Sequence, residues 1–278
     1  MSNPTPTVSD VSIQHPERWA LDVAVSRRRV QFMLYAPEQD GSLVSREIRV
    51  DPALPALQAI ENAVYDNPVL LDDYGRVRVV VRTPHFVVVP PEVAADAEVA
   101  ASVLAAAFPG DDSDAATCLL PQCGVGIVCG LPRGMMAFLQ RTFNTPPVVH
   151  HLYPLCEHFM RLNTGTTIAR MFVNLHDDAM DMAVYRHGQL VLANSLPLRN
   201  AGDAAYLVLH TWQSLRLDAL TDEIQLTGDK ALRDALAPQL RQYVKYVMPA
   251  IFPAAAMRLG PDAMRAPLDL ILFAICES

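Results

Sequence analysis

The chain has 278 residues, a formal charge of −8, and 51% hydrophobic against 19% charged residues. These are globular values, with apolar material enough for one large or two modest domains. They exclude a general binder of nucleic acid, whose phosphates demand a basic footprint, and no apolar stretch reaches the roughly 18 residues a membrane helix needs.

Residues 1–17 read as a flexible N-terminal arm, polar and Pro-containing, without the basic and apolar regions of a secretory signal. From Trp19 to Val25, Leu21, Val23 and Val25 alternate with Ala20, Asp22 and Ala24, which predicts a strand. Arg27, Arg28 and Arg29 make a polar turn into a second strand, Val30 to Tyr35. Asp40-Gly41 marks a hairpin loop before a third strand, Leu43 to Val50. Pro52 to Asn67 has one apolar face and reads as a helix. Arg76 to Val89 is β-like in two pieces around Pro84, and Pro90-Pro91 stops it. Glu92 to Phe108 is Ala-rich and helical, and Pro109 to Ala115 is an acidic loop. Thr117 to Gly130 predicts two short strands and a turn; helices are expected at Met135 to Phe143 and Leu155 to Leu162, with a short strand at Pro147 to His151 between them.

The opening theme then returns. Strands are expected at Ile168 to His176, Met180 to Tyr185 and Gln189 to Leu196, joined by Asp177-Asp178 and His187-Gly188 turns. A helix (Asp203 to Leu215), a strand (Glu223 to Leu226) and a helix (Lys230 to Val244) follow. The tail from Pro267 is apolar, and its periodicity does not separate strand from helix. Two meanders of three strands and a helix, one near residue 19 and one near residue 169, imply a duplicated domain. The polar Asn163 to Thr166 linker places the boundary, giving a first lobe at 18–165 and a second at 166–278.

This duplication resembles the superfamily of actin, sugar kinases and heat-shock chaperone ATPases. Within it, Trp19-Ala20-Leu21-Asp22-Val23, the Phe172 to Leu196 meander and the Pro267 to Glu277 ending are similar to the domain-of-unknown-function family 3822, a bacterial group. The lobes also look like those of pilus and secretion scaffold proteins. The resemblance implies an α/β fold with mixed sheets: a duplicated RNase H-like, actin-like ATPase fold, its two lobes around a cleft that holds nucleotide in active members.

Active members carry hydrophobic-Asp-hydrophobic-Gly on the first strand of each lobe, where Asp positions magnesium or water and Gly admits phosphate. Here the first lobe offers Leu21-Asp22-Val23-Ala24 and the second Val173-Asn174-Leu175-His176, so one acid and both glycines are replaced. The Arg27 to Arg29 and Asp177-Asp178 turns lack phosphate-wrapping loops, and paired carboxylates repel the ligand. The strand that meets adenosine ends in Leu226-Thr227-Gly228-Asp229, with one Gly retained. By this resemblance Asp22, Asn174 and Gly228 are the candidate nucleotide-binding residues, and Asp22 the candidate magnesium ligand. The cofactor stays open: ATP with magnesium is compatible with Asp22 and disfavoured by the missing loops.

Other constellations read more plainly. Arg27 to Arg29 fit a solvated turn better than a phosphate grip. Cys123-Gly124-Val125-Gly126 lacks the Lys-Ser/Thr of a phosphate loop and fits strand–turn–strand. His150, His151, Cys156 and His158 are dense enough to consider zinc, but Pro154 interrupts them, and structural burial or exposed imidazoles are expected instead. No nucleophile elbow, metalloprotease, kinase or dinucleotide motif is present. An odd count of five cysteines implies reduced thiols and a cytoplasmic location. The expectation is a non-catalytic scaffold that binds a protein partner, with a degenerate nucleotide site. The alternative is a divergent nucleotide-binding ATPase or phosphotransferase, and a homodimer is among the assemblies this fold allows.

Overall fold

The computed structural model describes residues 13–176 and 179–275. Most of the expected N-terminal arm, the Asp177-Asp178 turn and Cys276 therefore lie outside the described residues.

A 3-10 turn at Pro16–Arg18 leads into an antiparallel meander of β1 (Ala20–Ser26), β2 (Arg29–Tyr35) and β3 (Val44–Arg49). Helix α1 (Ala56–Tyr65) follows, then β4 (Arg76–Arg82), parallel to β1. The chain next leaves this sheet through β5 (Phe86–Val89), α2 (Pro91–Ala95), α3 (Ala97–Ala107), β6 (Ser113–Leu120), β7 (Val125–Pro132) and α4 (Met135–Thr142). It returns as β8 (Val148–His150), parallel to β4, and continues into α5 (Leu152–Asn163).

The second meander is β9 (Arg170–His176), β10 (Ala179–Arg186) and β11 (Gln189–Pro197). Then come α6 (Ala201–Ser214), β12 (Glu223–Gly228) parallel to β9, α7 (Lys230–Leu240) and β13 (Tyr246–Pro249) parallel to β12. Helices α8 (Ala254–Met257) and α9 (Leu268–Ile275) complete the described chain.

Strand order establishes the duplication. The two large sheets run β3-β2-β1-β4-β8 and β11-β10-β9-β12-β13, the same order in each. In both, three antiparallel strands are extended by two parallel ones. This is the mixed α/β, RNase H-like arrangement expected from the repeated meander. The central strand β1 is buried from Ala20 to Val25, as a strand covered on both faces must be. Edge strand β3 instead carries Arg46, Glu47 and Arg49, which discourage strand addition by stray chains. The β10–β11 turn places both His187 and Gly188 at positive φ, 51° and 70°, as a two-residue hairpin turn of primed type requires.

The segment between β4 and β8 builds its own three-stranded sheet, β5-β7-β6. Ala100 and Leu104 of α3 pack there with Val89 and Val128. The single helix expected over Glu92 to Phe108 is two helices. Asp96 leaves helical geometry and caps α3, accepting from Glu98 N–H at 3.0 Å and Val99 N–H at 3.1 Å.

The contacts divide the chain into two compact units. One unit holds the described residues within Met1–Leu119, Val125–Tyr153 and Pro253–Ser278; the other holds Leu120–Gly124 and Pro154–Phe252. The switch thus falls inside α5 rather than in the Asn163 to Thr166 linker, and the tail belongs to the first unit. The tail's undecided periodicity resolves as α9, whose Leu270, Ile271, Leu272, Phe273 and Ala274 are all buried. The second unit centres on Met171, Val173, Val184, Val208, Trp212 and Ile224. Helix α7 ends at Leu240, four residues before the expected Val244, and the edge strand β13 was not foreseen.

Candidate functional site

Asp22 sits in the middle of β1, directly across from Arg78 on β4. Its side chain has 0% exposure and that of Arg78 1%. The guanidinium donates in a fork, Nε to Oδ1 and Nη2 to Oδ2, both at 2.7 Å. Arg78 Nη2 also donates to the Tyr35 hydroxyl at 2.9 Å, which accepts from Arg76 Nη2 at 2.7 Å. Phe273 of α9 lies over the Arg78 guanidinium, 4.3 Å from carbon to ring centre. One turn earlier on α9, Asp269 accepts a second fork from Arg82, at 2.7 and 2.8 Å, and Arg82 also donates to Gln31.

Burial pushes the Asp22 carboxyl above the usual carboxylate range, and the Arg78 fork opposes it. Arginine keeps its proton, and neutralising Asp22 would strand a cation in the interior. The charged pair is therefore the stable form at neutral pH. Burial also pushes the Tyr35 phenol up to about 12, so it stays protonated. The carboxylate that the family resemblance offers to magnesium thus has both oxygens engaged within the first unit, on a sheet face covered by α9.

In the second unit Asn174 occupies the corresponding place on β9, paired with Thr227 of β12. Its amide donates to Asp181 Oδ2 on β10 at 3.1 Å. Ser195 Oγ of β11 donates to Asp181 Oδ1 at 2.8 Å, and His176 Nε2 lies 2.9 Å from Oδ2. Asp181 is buried, so this row satisfies an interior carboxylate by hydrogen bonds across three strands. Gly228 ends β12 with φ of +87°, and a Cβ there would lie 1.9 Å from Leu175 O. Asp229 follows, its N–H donating to Leu175 O at 2.7 Å and its side chain capping α7 through Leu232 N–H at 2.8 Å. The glycine is thus demanded by the close approach of β12 to β9 as it turns into α7.

The remaining candidates are placed as follows. Arg27 and Arg28 form the exposed two-residue turn between β1 and β2, and Arg29 pairs with Glu47 at 3.3 Å. Cys123-Gly124 is the turn between β6 and β7, with Gly124 at φ of +64°. Gln122 N–H in that turn donates to Glu157 of α5 at 3.0 Å. His150 Nε2 lies 3.0 Å from Thr83 O and its ring packs on Phe86. Cys156 is buried, and desolvation pushes its thiol well up, as it pushes Cys118 to about 11 and Cys123 to about 12. Among the described residues no group of three or more His, Cys, Asp or Glu is arranged to hold a metal ion. No helix among them is long and apolar enough to cross a membrane.

Arg78, Arg82, Asp269, Asp181 and Ser195 were missed in the sequence. One signal was available: Arg76, Arg78 and Arg82 share one face of a strand otherwise made of valines.

The pattern of DUF3822, a family of proteins of unknown function, matches residues 8–247. The chain belongs to the DUF3822 family. A comparison of this DUF3822 chain with curated proteins finds no significant match. A Bacteroides thetaiotaomicron protein with an actin-like ATPase fold and unknown function is similar in structure, with a TM-score of 0.75 at 21% identity over 93% of this chain and 96% of that one. A chain of the PilM–PilN type IV pilus biogenesis complex gives a TM-score of 0.55 at 14% identity, over 92% of this chain and 98% of that one. At these identities the likeness is one of fold, and it makes the DUF3822 chain an actin-like ATPase fold.

Proposed function

We propose that this chain is a non-catalytic actin-like scaffold that binds another protein, its nucleotide site degenerate. The observation that carries this reading is Asp22, fully buried and held by both oxygens in the Arg78 fork. A hydrated magnesium ion takes its carboxylate from the solvent side. Here it would have to displace a guanidinium from its buried fork, at a cost of several kcal/mol. Asn174 is likewise committed to Asp181. On this reading Asp22, Asn174 and Gly228 are remnants of a nucleotide site that now serve the sheets. The protein-binding half draws support from the PilM–PilN complex, in which a protein of like fold is joined to another protein. A cytoplasmic location and self-association into a homodimer belong to the same proposal.

Isothermal titration of the full chain with Mg-ATP tests it. The expected result is no binding heat at hundreds of micromolar nucleotide. Tight binding, lost on Asp22→Ala without loss of fold, would instead establish the rival reading, a divergent ATPase or phosphotransferase. That rival draws on Gly228, which keeps the glycine strand-to-helix turn at the adenosine end.

A further inference from the structure

The first unit carries an open groove of about 820 Å³ between the segment before β1 and the loop joining β2 to β3. Its walls include Arg18, Trp19, Ala36, Glu38, Val44 and Arg46. Three features give the groove a chemistry. Arg46 Nε is buried without a hydrogen-bond partner, although Nη1 donates to Ser45 O at 2.8 Å. A buried guanidinium N–H is rarely left unmet in a finished assembly. The charge of the wall is also the reverse of the chain's: against a formal −8 overall, it presents two guanidiniums and one carboxylate. His15 lines the groove too, with its imidazole tied to Glu17 at 3.1 Å. Trp19, Ala36 and Val44 meanwhile supply an apolar and aromatic surface of the kind that fixes a side chain.

We propose that the groove binds an acidic, partly apolar peptide, with a carboxylate on Arg46 and Arg18 and an apolar side chain against Trp19. It rests on the protein-binding reading above and gives the partner a chemistry.

The test uses the full chain and a fluorescein-labelled octapeptide of alternating Glu and Leu, followed by anisotropy. Its Gln/Leu counterpart is the neutral control, and inorganic phosphate is the competitor. Saturable binding of the acidic peptide is expected, weakened at least tenfold by Arg46→Gln and by Arg18→Gln, with the neutral peptide at least tenfold weaker. Arg18 is exposed, so its variant reports on binding even where Arg46→Gln loosens the fold. No binding at millimolar peptide, equal binding of the neutral peptide, or unchanged affinity in the Arg18→Gln chain would overturn the proposal. So would displacement by phosphate at equal concentration, which would mark an adventitious ion only. Failure here with Mg-ATP still unbound removes this groove and leaves the scaffold reading, whereas tight Mg-ATP binding removes the scaffold reading itself.

Discussion

Asp22→Asn separates a structural acid from a ligand-binding one. The substitution keeps the shape of the side chain and removes its charge. Arg78 stays at 1% exposure, beside the Tyr35 hydroxyl and the Phe273 ring, without the carboxylate that forked it. The guanidinium thus loses the bidentate anion across from it while keeping its own charge in the interior. Breaking such a pair from one side costs about 3–5 kcal/mol, a large fraction of the roughly 5–15 kcal/mol that holds a domain folded. At about 2–4 °C per kcal/mol for a domain of 150–250 residues, the melting temperature should fall by roughly 6–20 °C. Circular dichroism during a thermal ramp measures it. The control is the double substitution Asp22→Leu with Arg78→Met, which removes both charges and restores apolar volume. It should recover most of the loss, because an apolar pair replaces a buried ion pair at little or no net cost. An Asp22→Asn chain melting within about 2 °C of wild type, or a double variant no better than the single one, would refute the structural role.

Two further predictions concern the second unit. Gly228→Ala forces a Cβ to 1.9 Å from Leu175 O at a φ of +87°, so it should destabilise the protein by at least about 2 kcal/mol in urea unfolding, whatever the nucleotide content of the buffer. His158 gives a pH dependence of known sign. Burial, reinforced by the charge of Arg161, lowers its pKa from 6.5 to about 4. The unfolded imidazole takes its proton first as pH falls, so the contribution is full above about pH 6.5 and is lost as pH falls toward 4. The loss is about 3 kcal/mol at most, and His158→Gln should flatten that part of the stability profile in urea titrations at pH 7 and pH 4.5.

The fold was legible because its defining feature is repetition of local pattern. Alternation at Leu21, Val23 and Val25, the polar turn at Arg27-Arg28, and the same succession from Arg170 onward are all short-range signals. The tail was not, since Leu270 to Ala274 is apolar at every position and so carries no period. Its place in the first unit depends on Asp269 finding Arg82 and Phe273 finding Arg78, partners nearly two hundred residues away in sequence. The partner of Asp22 was hidden for a related reason. Asp22 meets Arg78 only once β4 lies parallel to β1 in a particular register, and a shift of one residue would put the arginine on the other face.

The two sheets also show how one strand order can hold its buried carboxylates in different ways. Across corresponding rows, the first sheet places Ser45, Met33, Asp22 and Arg78 side by side, and the second places Ser195, Asp181, Asn174 and Thr227. Each row holds one carboxylate, on the first strand in one unit and on the second strand in the other. Each carboxylate is satisfied by its own sheet, Asp22 by a cation and Asp181 by neutral donors together with His176. An acid retained for magnesium has to keep oxygen lone pairs turned to solvent, which weakens the sheet it stands in. An acid whose every oxygen is met from within strengthens the sheet and has none to offer. The strand order is the same in both cases, so the fold alone does not separate them, and titrating wild type and Asp22→Asn chains with Mg-ATP does.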